Sequence, residues 1–317
     1  MTTEQRPLKE LLLEEQLKPA TLHVSRPSVY GVDYEINPWM IDKIGTVDLS
    51  LAKKQWLNLV YHLEHAGAYV HQADPSVIPF HLDNAPDAVF IANAGSFLPK
   101  SDGSGDYIFL PSRFAKQERV IEQNFFEDHF SWHRHEIIRE LHPGKVLPSF
   151  EGDGDLLRAG DYLVVGYGHR TSEEFVKQLC AYYTEDDAQQ IIPVRLVDPR
   201  FYHLDTCFFW HGQGDASVGW FYPEAFDRAS RLRLEDMFND LGTAWTFLDE
   251  SEAIDFSANA VGIQECVIAH KLSGRLQRFL DDENFIPLET DLSEYLKAGG
   301  SAKCLTIVER RSDWEYK

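Results

Sequence analysis

The chain has 317 residues, 44% of them apolar and 26% charged, an ordinary balance for a globular protein long enough to bury a large core. Its 51 acidic and 30 basic side chains give a net charge of −21, a surface that repels nucleic acid and anionic membranes and would draw a small cation. The polar start MTTEQRPLKE lacks the basic and apolar regions of a secretion signal, and no apolar run nears the roughly 18 residues of a membrane helix, so a cytoplasmic protein is expected.

Residues 1–23 are polar, carry one short helical candidate over Leu8–Lys18, and are taken as an N-terminal extension. From Val24 onward strands are predicted at Ser28–Val32, Ala88–Asn93, Tyr107–Pro111, Asp161–Tyr167, Ile191–Val197 and Thr206–Trp210, where apolar, β-branched or aromatic residues run together. Helical spacing predicts helices over Lys53–Ala66, Arg113–Phe130, Ser172–Thr184, Pro223–Leu241 and Leu272–Asp282. The interleaving predicts an α/β fold. No linker rich in Pro, Gly or Ser divides the chain, so 24–317 is expected to be a single domain. Residue identities show no repeat, and any repetition has to be structural.

The four cysteines, Cys180, Cys207, Cys266 and Cys304, are widely spaced and form no CxxC pair, against a zinc ribbon or a disulfide framework. Cys207 is read inside an apolar strand, and Cys180 and Cys266 on helices. The stretch from Trp132 to His142 is rich in histidine. A zincin helix needs a second histidine four residues after His135, yet Arg139 stands there and would oppose a metal, so a solvated helix face is expected. Gly152-Asp153-Gly154-Asp155 is no phosphate loop, because no Gly-Lys-Ser/Thr follows and its carboxylates would repel the anion.

Five polar stretches stand at strand ends or in Gly-rich turns. They are Glu35-Ile36-Asn37-Pro38-Trp39, Pro86–Asn93, Phe150–Asp155, His203-Leu204-Asp205 and Gly299–Cys304. Alone, each reads as a cap, a turn or a core histidine. Together, and in this order, they resemble the guanidino-group-modifying (pentein) superfamily of arginine deiminases, dimethylarginine dimethylaminohydrolases and amidinotransferases, over about residues 28–310.

The resemblance implies a five-bladed β/α propeller of ββαβ units. It also implies a nucleophile at Cys304, a proton-transferring His203, and carboxylates Asp205 and Glu151 that bind guanidino nitrogens. Arg170 and Arg113 fall where the family places arginines near a substrate carboxylate. Asp87, Asn93 and Asn37 are candidate substrate contacts.

Where deiminases end the second motif in Asp and dimethylarginine hydrolases in Glu-Asp, this chain has Ala92-Asn93. With Asn37-Pro38-Trp39, that is closest to the arginine dihydrolase branch, which converts arginine to ornithine, two ammonia and CO2. A neutral amide holds guanidinium and ureido groups alike, whereas a carboxylate would face the ureido group unpaired; Asn93 as a turn cap is the structural alternative. The expected partner is a small molecule, arginine and then citrulline, with no metal, organic cofactor, nucleic acid or membrane; a homo-oligomer is compatible with the sequence. Alternatives left open are an arginine deiminase, a dimethylarginine or citrulline hydrolase, and a non-catalytic binding protein of the same fold.

Overall fold

The computed structural model describes residues 7–10, 20–77, 85–214 and 216–310. Most of the helical candidate Leu8–Lys18 lies outside these residues. Leu8 itself is buried, and its N–H donates to Asp187 Oδ1 at 2.8 Å.

The strands are β1 Thr21–Ser25, β2 Tyr69–Ala73, β3 Gly95–Pro99, β4 Tyr107–Pro111, β5 Leu156–Ala159, β6 Tyr162–Tyr167 and β7 Ile191–Arg195, followed by β8 Phe208–Gln213, β9 Ala216–Phe221, β10 Ala244–Phe247, β11 Val261–Ile263, β12 Cys266–Ala269, β13 Ile286–Glu289 and β14 Thr306–Glu309. The helices are α1 Leu49–His65, α2 Glu122–Trp132, α3 Glu173–Tyr182, α4 Arg228–Asp240, α5 Glu250–Ile254, α6 Gly274–Asp282 and α7 Ser293–Leu296. Capping side chains start most of the longer ones. Asp48 Oδ1 accepts from Ser50 N and Leu51 N ahead of α1, and Ser172, Asp227 and Ser273 do the same for α3, α4 and α6.

One pattern recurs. β5 and β6 pair antiparallel, α3 crosses over, and β7 returns parallel to β6. The same order builds β8-β9-α4-β10, β11-β12-α6-β13 and, joining the two chain ends, β14-β1-α1-β2. A parallel neighbour needs a crossover long enough to hold a helix, which is why each helix sits at that place. β3 and β4 form a fifth antiparallel pair, with α2 following and one parallel bridge, Phe109 to Ile137, in place of the returning strand. The result is a mixed α/β fold of five small sheets. Aromatic and aliphatic clusters fill the space between sheets and helices, among them Phe201, Phe208, Trp220, Phe221 and Phe238. No helix among the described residues is long and apolar enough to cross a membrane.

Several sequence expectations are corrected. Thr21 to His23 are not extension but part of β1, the central strand of its sheet, where all five residues are buried. Ser28–Val32 is a loop. Ala88–Asn93 forms two 3-10 turns, Pro86–Val89 and Ile91–Ala94, because Pro86 presets the first turn and a wholly buried apolar run has no period to reveal it. The helix expected from Arg113 starts only at Glu122, since the Arg113 N–H is drawn to the Phe150 carbonyl at 2.8 Å. Cys266 opens β12 instead of lying on a helix, and Cys207 sits in the turn just before β8. The histidine-rich stretch is no solvated helix face either. α2 stops at Trp132, Arg134 takes the left-handed conformation (φ 63°), and the chain turns inward to bring His135 Nε2 within 2.9 Å of Glu309.

Candidate active site

Each sheet is entered through a turn whose polar residue faces a common centre. Asn93 precedes β3, Glu151 precedes β5, His203 and Asp205 precede β8, Asn259 precedes β11, and Cys304 precedes β14. The five turns are laced into a ring. Asn93 Nδ2 donates to the Glu151 carbonyl at 3.2 Å, and His203 Nε2 lies 2.8 Å from Glu151 Oε2. Asn259 Nδ2 donates to the Asp205 carbonyl at 2.9 Å, and Asn259 Oδ1 accepts from Cys304 N at 3.1 Å. The ring closes where Ala92 N donates to the Cys304 carbonyl at 3.2 Å.

Glycine makes this crowding feasible. Gly152 has φ +62°, and a Cβ there would meet the carbonyl oxygens of Gly95 and Ala92 at 2.5 and 2.6 Å. Asp155, behind the ring, ties two turns together by accepting from Thr171 Oγ1 and from Leu204 N; burial pushes its carboxyl up to about 6.

A cavity at the centre is lined by Asn37, Asp87, Asn93, Arg119, Arg170, Tyr202, His203 and Cys304 together with Ile36, Met40, Phe90 and the Ala298-Gly299-Gly300 turn. Cys304 Sγ donates to Asp205 Oδ2 at 3.2 Å and accepts from Asn259 Nδ2 at 3.1 Å. Burial first, and then the Asp205 carboxylate, push this thiol well above its ordinary value, so in the free protein it is protonated. Burial works to raise Glu151 as well. Arg170, whose Nη1 is 3.0 Å from Glu151 Oε2, outweighs it together with His203 and Arg119, and holds Glu151 well below the usual carboxylate range. Arg170 also donates to the Ile36 carbonyl and lies over the Tyr202 ring.

Six of the nine sequence candidates line the cavity: Cys304, His203, Asn93, Asn37, Arg170 and Asp87. Glu151 and Asp205 stand directly behind it, in contact with His203 and Cys304. Arg113 does not line the cavity: its side chain is exposed, and its backbone pairs with Phe150. Two residues were missed. Arg119, six residues on, is fully committed inside the site, donating from Nη1 to Asn93 Oδ1 (2.7 Å), from Nη2 to the Asp87 carbonyl (3.1 Å) and to Glu122. Asn259 holds both the Cys304 and Ser301 N–H groups as well as the thiol. Its signal was present, since Ala-Asn-Ala occurs at 92–94 and again at 258–260, each time just before a first strand.

The site contains unspent acceptors. Asp87 Oδ2 takes the Tyr34 hydroxyl at 3.0 Å, but Asp87 Oδ1 and Asp205 Oδ1 are buried without a hydrogen-bond partner among the described residues. Burial raises both carboxyls. Such a site is completed by a ligand that brings positive charge and several N–H donors beside a thiol.

No family model matches the chain. AgrE from Nostoc sp., a bifunctional arginine dihydrolase/ornithine cyclodeaminase, is 37% identical over 283 residues, which are 89% of this chain and 36% of AgrE. The N(G),N(G)-dimethylarginine dimethylaminohydrolase of Mycobacterium tuberculosis is 31% identical over 281 residues, 89% of this chain and 83% of that protein. The chain belongs to the guanidino-group-modifying superfamily, on its arginine dihydrolase branch. A solved member of this superfamily agrees. The N-terminal domain of ArgZ, an arginine dihydrolase from the ornithine-ammonia cycle in cyanobacteria, was crystallised as a cysteine-to-serine variant bound to substrate. It superposes with a TM-score of 0.77 at 31% identity, covering 91% of this chain and 97% of that one. The chain spans about a third of the length of full AgrE and ArgZ, 36% of each.

Proposed function

We propose that the chain is a Cys304-dependent arginine dihydrolase that yields ornithine, two ammonia and CO2. The observation that carries the reading is the Cys304 thiol, held at the cavity wall between the Asp205 carboxylate at 3.2 Å and the Asn259 amide at 3.1 Å, with the Glu151–His203 pair facing the same space. A non-catalytic binding module has no use for that arrangement.

The site handles a poor electrophile. The guanidinium carbon spreads its charge over three nitrogens, so attack needs a thiolate, fixed nitrogens and an acid for the departing ammonia. Asp87 and Asp205 offer the free acceptors. Arrival of the cation beside Cys304 offsets the Asp205 charge and lowers the thiol, which passes its proton to His203 across the cavity, so nucleophile and acid form together when substrate is present. Sulfur bonds to the guanidinium carbon, one C–N bond breaks, and His203 gives its proton to the leaving ammonia. Neutral His203, oriented by Glu151, then takes a proton from water as the hydroxyl adds to the carbon and the C–S bond breaks, leaving citrulline. A second attack, on the ureido carbon, expels the other ammonia and leaves a thiocarbamate. Water cleaves it to a carbamic acid that loses CO2, and ornithine departs.

The same reading extends to the fold. The five sheets act as blades of a propeller around the cavity, in one catalytic domain that begins with β1, and β14 closes the blade the N-terminal strand starts. The ring of five laced turns and the repeated strand–strand–helix–strand order support it.

Product analysis tests the function. Arginine labelled with 13C at the guanidino carbon should give one ornithine, one labelled CO2 and two ammonia per molecule consumed. Citrulline as the sole end product would replace the dihydrolase by a deiminase, and no turnover of arginine at all would remove the assignment.

A further inference from the structure

Outside the cavity, histidines from separate elements converge on one point. His23 lies in the middle of β1 and is fully buried; His71 is its partner in the β1–β2 register. His129 occupies the last turn of α2, and His133 is that helix's C-cap residue. Their spacing of four residues puts both rings on one helix face, turned toward β1. His23 Nδ1 lies 2.8 Å from His129 Nε2, and ring centroids are 4.7 Å apart for both His23–His133 and His129–His133. One ring nitrogen of each of the three lies within 4.8 Å of the others.

We propose that His23, His129 and His133 form a binding site for a divalent transition-metal ion of the zinc type, separate from the Cys304 centre. Three imidazoles are a ligand set suited to such an ion, and bonds of about 2.0–2.1 Å at a tetrahedral centre place ligand nitrogens roughly 3.3 Å apart. Here the His23 and His129 nitrogens stand 2.8 Å apart, and the His133 nitrogen lies within 4.8 Å of both.

The surroundings fit the same reading. His23 Nε2 is 3.0 Å from Glu309 Oε2, and the other oxygen of that carboxylate is 2.9 Å from His135 Nε2. Glu309 accepts only while His23 carries its proton on Nε2, which leaves the Nδ1 lone pair on the side of His129. A carboxylate behind a histidine, fixing its tautomer, is the usual support of a metal ligand. Phe130 packs edge-on to His23 at 5.0 Å and closes the site on the apolar side. His71, its side chain 42% exposed and its ring 4.7 Å from that of His133, stands at the solvent side, where a fourth ligand or water enters.

Such an ion would join three parts of the chain. It would fasten α2 to β1, and through Glu309 to β14, the strand that starts two residues after Cys304. None of the three ligands lines the catalytic cavity, so the ion is structural and takes no part in the chemistry.

The test uses the full chain, stripped with EDTA and titrated with zinc and, separately, with cobalt(II). One equivalent of zinc should remain after gel filtration, raise the melting temperature, and be retained by Cys304→Ser, which removes the active-site thiol as a competing ligand. Bound cobalt should show the visible bands of nitrogen coordination without a thiolate charge-transfer band. His133→Gln, at a partly exposed position that leaves His23, Glu309 and His135 in place, should weaken zinc binding at least tenfold while circular dichroism stays unchanged. His129→Gln should do the same. Failure of the wild-type chain to retain zinc, equal retention by both glutamine variants, or loss of zinc in Cys304→Ser would overturn the proposal and leave a hydrogen-bonded histidine network.

Discussion

Asn93 Oδ1 accepts a 2.7 Å hydrogen bond from Arg119 Nη1, while Asn93 Nδ2 donates to the Glu151 carbonyl at 3.2 Å. The arginine fixes the amide's orientation, because it can only donate and so selects the carbonyl oxygen. Asn93 therefore offers the cavity its remaining N–H. That changes the physics expected from sequence: a carboxylate here would not stand unpaired, since Arg119 would meet it, but it would have no donor for a ureido oxygen. Asn93→Asp should let citrulline accumulate from arginine and should slow hydrolysis of added citrulline by roughly 10- to 100-fold, the effect of losing a buried donor worth about 1–3 kcal/mol. An ornithine-to-citrulline ratio equal to wild type would remove Asn93 as the determinant of the second step.

The Cys304–Asp205 contact sets the pH behaviour of the free thiol. Burial and the neighbouring carboxylate both disfavour the thiolate, so iodoacetamide should label Cys304 slowly at neutral pH, with a rate still climbing beyond pH 9. Asp205→Asn removes the negative neighbour, so the thiolate becomes easier to form and the labelling profile should move to lower pH. Peptide mapping of alkylated protein across pH 6–10 checks this. A shift upward in the variant would mean that the carboxylate acts on the thiol in some other way.

Arg170 and Arg113 should behave differently. Arg113→Ala touches an exposed side chain outside the cavity and should leave kcat and KM for arginine within about twofold. Arg170→Ala strips a buried carboxylate of its partner at 3.0 Å and should cost about 3–5 kcal/mol of stability besides its effect on turnover. For Glu151, whose folded value is depressed, the linked stability is present above the unfolded carboxylate value and lost as the pH falls below it. Glu151→Gln should therefore flatten part of the acid limb of the stability–pH curve. Urea melts of both variants from pH 3 to 7 provide the measurement.

Asn259 has no reactive group, yet it accepts from the Ser301 and Cys304 N–H groups at 3.0 and 3.1 Å. Asn259→Ala leaves both donors buried without it and frees the thiol. A loss of about 2–4 kcal/mol and a large fall in kcat with little change in KM are expected. Thermal melts and steady-state kinetics decide, and an active variant of wild-type stability would return Asn259 to a passive role.

The sequence made the chemistry more legible than the architecture. Cys304, His203, Glu151 and Asp205 stand at strand ends or in Gly-rich turns, in the order that resembles the guanidino-group-modifying family, and backbone needs of the kind seen at Gly152 leave marks in sequence. Long amphipathic helices such as α1 and α4 were visible for the same kind of reason, since capping residues and apolar spacing are local. The shortest strands were invisible, because β11, with three residues, and β14, with four, are too short to show alternation. Arg113 and Arg119 look alike in sequence, and long-range contacts separate them: the Arg113 backbone pairs with Phe150, while the Arg119 guanidinium is held by Asn93 and the Asp87 carbonyl. The histidine cluster is hidden for the opposite reason: helical spacing suggests one helix face over Trp132–His142, but α2 stops at Trp132 and the cluster includes His23 of β1, more than a hundred residues away.

The most direct test is to stop the enzyme during arginine turnover and weigh the protein. Acid-quenched intact mass spectrometry with peptide mapping should show adducts of arginine less one ammonia and of citrulline less one ammonia, both on the peptide carrying Cys304 and neither in Cys304→Ala, which should also be inactive. Wild-type turnover by Cys304→Ala, or an adduct carried by another residue, would contradict the covalent Cys304 mechanism.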